Sequence, residues 1–240
     1  MENIAVFDQN NKNVKLLNDL FEGFQQTLVL DKDSSIHIDD KHDSVYKVEE
    51  GFVKIVRYTF SGKRCVLGIH YSGSILCEFS LSNSNCCYYL ETDTKTKLKR
   101  VSTERFIETL DSSELRHAYI RYMATLISEK NDKITSFITS SSEERLLFFL
   151  LKIAEKYGEF SEQQLTIRTK LLIQDLSDYV GTTRSRIGFF IKKLSNSGLL
   201  KHRSDGSISI KLPELYEYLK VNENIYPDFF EKVRHESIEI

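Results

Sequence analysis

Two prolines and ten glycines in 240 residues are too few for a collagen-like chain or a proline-rich linker. No run of about 18 apolar residues occurs, so a membrane-spanning helix is not expected. The first twenty residues, MENIAVFDQNNKNVKLLNDL, lack the cationic start and unbroken apolar core of a signal peptide. These absences point to a soluble, cytoplasmic protein with no membrane partner. Cysteine is scarce too: the four, Cys65, Cys77, Cys86 and Cys87, fall within 23 positions, and cytosolic thiols are normally reduced. A disulfide framework is not expected, and the spacing is not the two separated C-x-x-C pairs of a zinc site. Also missing are a repeat of 20–50-residue period, a Ser/His/Asp or Cys/His set, a phosphate-binding glycine loop and an isolated acid pair. Catalytic residues, a resident metal and a cofactor are therefore not expected.

What is present is ordinary globular material, 40% apolar and 28% charged, in a chain long enough for two domains. The charge is unevenly spread. Residues 165–212 hold nine Lys/Arg against three acids, a local +6 that leaves −8 on the remainder of a chain whose net charge is −2. A compact basic segment on an acidic chain suggests a polyanion partner for that segment, since Lys and Arg displace counterions condensed on phosphates.

From about residue 26 to 101 the pattern is that of short strands. SVYKVEEGFVKIVRYTFSGKRCVLGIHYSGSIL alternates apolar and polar positions and is punctuated by Gly51, Ser61-Gly62 and Ser72-Gly73. Turns at such intervals suggest a small sandwich, jelly roll or barrel. The period then changes: Ile120, Met123, Ile127, Lys130, Ile134 and Phe137 step alternately by three and four, the seam of a paired helix interrupted by a lysine. A second row, Leu115, Tyr119, Tyr122 and Leu126, gives the helix another apolar face. One face can pack on the β domain while the other meets a partner subunit; a single helix packed on the sheet is the alternative. Ser141 followed by Glu144 is a capping box that starts the next helix, and the surrounding serines form the best hinge candidate. The expected organisation is a β domain over 1–112, a helix and hinge over 113–140, and a third segment over 141–240.

LIQDLSDYVGTTRSRIGFFIKKLSNSGLLKHRSDGSISIKL has the grammar of a winged helix-turn-helix. A short helix over 174–180 meets Gly181, which suits a left-handed turn, and Thr183 can cap a second helix with Ile187, Ile191 and Leu194 inward. KHRSDGSISI then makes the wing hairpin. Entering the major groove N-terminus first, the second helix would offer Arg184 to guanine, Ser185 as a more tolerant reader and Phe189 to a thymine methyl. Thr183, Arg186, Lys192 and the wing's Lys201 and Arg203 would hold phosphates without reading sequence.

Two of these stretches together resemble a known family. VEEGFVKIVRYTFSGKRCVLGIHYSGSILCE, with its spaced glycines and a glutamate, Glu78, after the last, looks like the β-roll signature of the CRP/FNR family of bacterial transcription regulators. DLSDYVGTTRSRIGFFIKKLSNSGLL is similar to that family's DNA-reading motif, and the resemblance spans roughly residues 20–215. It implies an α+β fold: an N-terminal effector-sensing β-roll or jelly roll like a cyclic nucleotide-binding domain, a long dimerisation helix, and a C-terminal winged helix-turn-helix. It also implies a homodimer seated on a palindromic double-stranded DNA operator, with RNA polymerase as a candidate partner. The base-reading positions map onto Arg184, Ser185 and Phe189; the last two depart from the glutamate and arginine often found there, so the operator should differ from the family's usual half-site.

The effector pocket departs as well. Members that bind cyclic AMP carry, about ten residues after the glutamate, an Arg-Ser or Arg-Thr pair, because a buried phosphate without a cation is strongly disfavoured. Here those positions are Tyr88 and Tyr89, and no arginine lies between Phe79 and Lys99. Control by cyclic AMP is not expected. Glu78, Cys86, Cys87, Tyr88 and Tyr89 remain as pocket candidates for a small-molecule or redox effector, with thiol sensing, an apolar or aromatic ligand, and no ligand at all as open alternatives. The missing N-terminal cysteine cluster argues against the family's iron–sulfur branch. IHIDDKHD, with His37, Asp39, Asp40, His42 and Asp43, reads as a strand entering a polar turn. A metal-dependent, cupin-like jelly-roll enzyme with an appended basic domain is the competing functional class.

Overall fold

The structure, a computed structural model, describes residues 12–38, 44–77, 87–161, 164–167, 171–202, 207–211, 214, 215 and 218. The chain divides into two compact units, one over Asp8–Thr139 and the other holding Ser140–Ile240.

The first unit opens with α1 (Lys12–Leu20), which buries Val14 and Leu17 and runs into a 3-10 turn, Phe21–Gly23. Strands β1 (Thr27–Leu30), β2 (Ser35–Ile38), β3 (Ser44–Glu50), β4 (Phe52–Tyr58), β5 (Arg64–Tyr71), β6 (Ile75–Leu76), β7 (Tyr88–Glu91) and β8 (Thr96–Ser102) follow. They form two four-stranded antiparallel sheets, ordered β1-β8-β3-β6 and β2-β7-β4-β5. Alternation along the strands sends Tyr46, Val48, Val53, Ile55, Leu90 and Leu98 into one buried cluster. Tight corners make the roll possible. Gly51 turns β3 into β4 at φ +79°, and a Cβ there would stand 2.7 Å from Thr96 Oγ1 and 2.8 Å from the Lys95 carbonyl, so only glycine fits.

Two helices close the unit: α2 (Thr103–Thr109), capped by the Ser102 hydroxyl, and the 27-residue α3 (Ser113–Thr139). Ala118 and Tyr122 of α3 are buried in a second cluster with Phe21, Ile75 and Phe106, and Leu115, Tyr119, Met123 and Leu126 pack against it. The helix therefore spends one apolar row on its own β-roll. The N-terminal α1 is an element the sequence reading did not foresee.

The second unit comprises α4 (Ser142–Tyr157), β9 (Glu159–Ser161), β10 (Gln164–Ile167), α5 (Ile173–Val180), α6 (Arg184–Asn196), β11 (Leu200–His202) and β12 (Ile208–Lys211). Its sheet runs β11-β12-β10-β9, so the wing hairpin is joined by a second, unforeseen hairpin. The capping box at the head of α4 is complete: the Ser141 amide donates to Glu144 Oε2 at 2.6 Å and the Glu144 amide to Ser141 Oγ at 3.3 Å. An α+β chain with a jelly-roll-like β domain and a C-terminal helix-turn-helix is thus the observed fold.

Candidate DNA-reading helix, dimer seam and effector pocket

The turn between α5 and α6 is built locally. Gly181 sits at φ +72° and ψ +44°, the left-handed region its missing Cβ favours, and its amide closes α5 on the Ser177 carbonyl at 2.9 Å. Thr183 then caps α6 by accepting the Arg186 amide at 3.3 Å. Ile187, Phe190 and Leu194 face the core while Ile191 is only half-buried, so the inward row runs through Phe190, one position earlier than expected. The Arg186 guanidinium lies over the Phe190 ring, 5.7 Å from its centroid.

Thr183, Arg184, Ser185, Arg186, Phe189 and Lys192 are all exposed, as is Lys201 on β11. Phe189 stands 63% exposed, an unusual place for a phenylalanine on a folded surface. Arg203 lies outside the described residues. Lys193 points elsewhere, both carboxylate oxygens of Glu143 lying 2.8 Å from its ammonium, which ties α6 to α4. Sequence reasoning missed Arg145. Its Nη1 donates to the Ser140 carbonyl at 2.6 Å and its Nε to the Val180 carbonyl at 3.0 Å, so one guanidinium joins Ser140, just before α4, to the last residue of α5. Burial, and then the neighbouring Arg186 charge, push the Arg145 pKa below its ordinary value.

On α3, Ile120, Ile127, Ile134 and Phe137 are exposed, as is Lys130. Met123 departs from that row. It is half-buried against the β-roll cluster with its Sδ 3.6 Å from Cys77 Sγ, because a helix packed on a sheet draws in the residues flanking its central inward row.

Glu78 and Cys86 lie outside the described residues; Cys87 is exposed. Tyr88 and Tyr89 lie on opposite faces of their sheet. Tyr88 packs against the cluster containing Val53, Ile55 and Leu90, whereas Tyr89 points to the opposite face of its sheet, its ring 4.9 Å from His37 and 5.2 Å from Tyr58. Neighbouring residues of a strand face opposite sides, so the two tyrosines present their rings to different faces of the sheet. On the same side as Tyr89, Glu91 accepts from Arg64 at 2.6 Å and from Tyr58 at 3.1 Å. Burial, followed by the Glu91 charge and hydrogen bond, raises the Tyr58 pKa above its ordinary value. His37 belongs to this aromatic row; Asp39, Asp40, His42 and Asp43 lie outside the described residues. Among the described residues no cluster of three or more His, Cys, Asp or Glu could hold a metal, and no helix is long and apolar enough to cross a membrane.

The cyclic nucleotide-binding domain family matches residues 30–113. Curated relatives include the nitrogen fixation regulation protein FixK of Rhizobium meliloti, 26% identical over 175 residues that cover 73% of this chain and 77% of that one. The anaerobic regulatory protein of Bacillus subtilis is 20% identical, covering 69% and 71%. Among solved structures, a CooA mutant from Carboxydothermus hydrogenoformans superposes with a TM-score of 0.71 at 16% identity, covering 89% of this chain and 98% of that one. FixK2 from Bradyrhizobium japonicum gives 0.65 at 18% identity, covering 77% and 91%. The relatives are regulators rather than enzymes, and the cupin-like enzyme reading has no support among them. The chain thus joins a β-roll matched by the cyclic nucleotide-binding domain family to a long helix with a row of exposed isoleucines and a capped helix-turn-helix, and it is similar in sequence and fold to transcription regulators of the CRP/FNR type.

Proposed function

We propose that the protein is a cytoplasmic homodimer that binds a palindromic DNA operator through α6 and is not controlled by cyclic AMP. The observation that carries this reading is the exposed face of α6, where Arg184, Ser185, Phe189 and Lys192 project from a helix fixed by the Thr183 cap and the Lys193–Glu143 ion pair. A rigid support matters because base readout depends on side chains held in register with the groove. Thr183, Arg186, Lys201 and Arg203 supply phosphate contacts, and Ile120, Ile127, Ile134 and Phe137 supply the dimer seam, with Met123 at its edge. Exposed isoleucines seven residues apart are the repeat of a two-helix seam, which a second copy of the same helix can match.

The absence of arginine between Phe79 and Lys99 is the ground for excluding cyclic AMP as effector. The family profile covers the β-roll as a fold, while phosphate neutralisation depends on one side chain within it. Glu78, Cys86, Cys87 and Tyr88 remain the candidates for lining a pocket with a different occupant, and RNA polymerase remains the candidate protein partner.

The test is selection of the purified chain on a randomised duplex pool, with and without reductant, and with and without cyclic AMP. A palindrome enriched equally with and without the nucleotide supports the reading. Enrichment that requires cyclic AMP removes the effector claim, and a single unpaired half-site removes the dimer claim.

A further inference from the structure

The β4–β5 ribbon contains a register shift: Ile55 faces Gly68 and Val56 faces Val66, so Leu67 has no cross-strand partner. An extra residue of this kind disrupts the ladder locally and frees backbone groups from it. The half-buried ammonium of Lys133, on α3, donates to the carbonyl oxygens of both Val66 and Leu67 at 3.2 Å. It also lies 6.0 Å from the ring centroid of Phe137, one turn further along the helix. Phe137 and Ile134 are exposed and belong to the row assigned above to the dimer seam. One lysine thus joins the bulge in the ribbon to the seam end of α3, using only groups of the same unit.

We propose that Lys133 is a positioning residue that holds the second half of α3 against the bulged β4–β5 ribbon and so presents the Ile134–Phe137 end of the seam ready to associate. The inference rests on the dimer reading of α3. Hydrogen bonds from a charged donor are stronger than neutral ones, and the bulge lets two consecutive carbonyls, which point to opposite sides along a regular strand, meet one donor. Because the tether is made by the chain itself, docking this half of the helix does not wait for an effector. Apparent affinity falls in proportion to the competent fraction, and both chains of a homodimer must be competent, so that fraction enters twice.

The experiment is sedimentation analysis of the full chain as wild type, Lys133→Met, Lys133→Arg and Ile134→Asp, with amide exchange followed on β5. Wild type is expected to dimerise without additives. Lys133→Met should weaken the dimer roughly tenfold or more and speed exchange around Leu67, while Lys133→Arg, which keeps a donor, recovers most of both. Ile134→Asp should be monomeric with wild-type exchange on β5. If Lys133→Met loses its folded circular dichroism signal, Lys133→Gln, which keeps the stem without the charge, takes its place. A Lys133→Met chain that dimerises like wild type overturns the positioning role while a monomeric Ile134→Asp leaves the seam standing. An Ile134→Asp chain that still dimerises removes the seam reading and the inference with it. A wild-type chain that stays monomeric until cell extract is added also overturns the proposal.

Discussion

Tyr122 of α3 serves Ile75 of β6 as a neighbouring strand would: its phenol donates to the Ile75 carbonyl at 2.6 Å and accepts from the Ile75 amide at 3.3 Å. Strand β6 is only two residues long and pairs with β3 through Tyr46 and Lys47. A helix side chain therefore satisfies both backbone groups on the other side of a sheet edge, which would otherwise be buried without partners. Two residues further on, Cys77 Sγ meets Met123 Sδ, so the strand leading toward residue 78 is fastened to α3 at successive points.

Tyr122→Phe keeps the ring in its cluster and removes both hydrogen bonds. The expected cost is about 1–3 kcal/mol, the usual penalty for stranding a buried backbone group, read as a lower urea midpoint with an unchanged slope. A midpoint equal to wild type would mean that water reaches Ile75 and that the helix does not complete the edge.

Lys54 is almost wholly buried on β4, and its ammonium meets Asp93 Oδ1 at 2.5 Å. Removing the acid alone leaves a desolvated positive charge, whereas removing both groups removes the problem. Asp93→Ala should therefore destabilise the β-roll by about 3 kcal/mol, and the double change Lys54→Met with Asp93→Leu should recover most of that loss. Thermal unfolding of the two variants checks the pair. If the single and double variants unfold alike, the carboxylate is not what makes the buried lysine tolerable.

The features legible in the sequence were the local ones. Ser141 with Glu144, Gly181 and Thr183 act within four residues of themselves, and each appears with its expected geometry. The two-row pattern of α3 was also readable, because helical periodicity survives whatever packs against it. Features set by distant partners were not. That Tyr88 meets the core cluster while Tyr89 meets His37 and Tyr58 depends on β7 lying between β2 and β4. Met123 is drawn in because α3 packs on the β-roll, where it meets Cys77, and the bulge at Leu67 is invisible until β4 and β5 are placed side by side. Arg145 reads in sequence as an ordinary helix arginine, and its two carbonyl acceptors lie 5 and 35 residues away.

Acid should weaken the first unit through two carboxylates on its surface. Burial pushes Glu49 up, but hydrogen bonds from Lys97 and Lys99 together with their charges outweigh it and hold its carboxyl below the ordinary 4.5. Hydrogen bonds from Lys47 and Lys99 lower Glu22 in the same way. A folded pKa below the unfolded one gives stability that is present above the unfolded value and lost as pH falls through the folded value. The urea midpoint of wild type should therefore drop as pH is lowered from neutral through 4.5 and beyond. Glu49→Gln should start lower at neutral pH and fall less steeply. An acid-side slope unchanged by Glu49→Gln would assign the acid loss to other groups.

On the proposed DNA-binding reading the exposed face of α6 divides into base-reading and phosphate-holding residues, and substitutions at Arg184 and Lys192 should separate the two in measurement. Arg184, in the first turn of α6, can give two parallel hydrogen bonds to one guanine. Arg184→Ala should cost about 1–3 kcal/mol on the selected operator and loosen preference at a single base pair. Lys192, two turns on, is expected to touch phosphate. Lys192→Ala should weaken every duplex alike and reduce the salt slope of binding by about one. Phe189→Ala should leave the salt slope unchanged and erase discrimination at one thymine, since an exposed ring can offer the methyl group only apolar contact. Binding isotherms on the operator, on single-base variants and on unrelated duplex, each at several salt concentrations, measure all three. If Arg184→Ala retained full discrimination while Lys192→Ala lost it, α6 would sit in the groove in a different rotation, with the face now assigned to phosphate turned toward the bases.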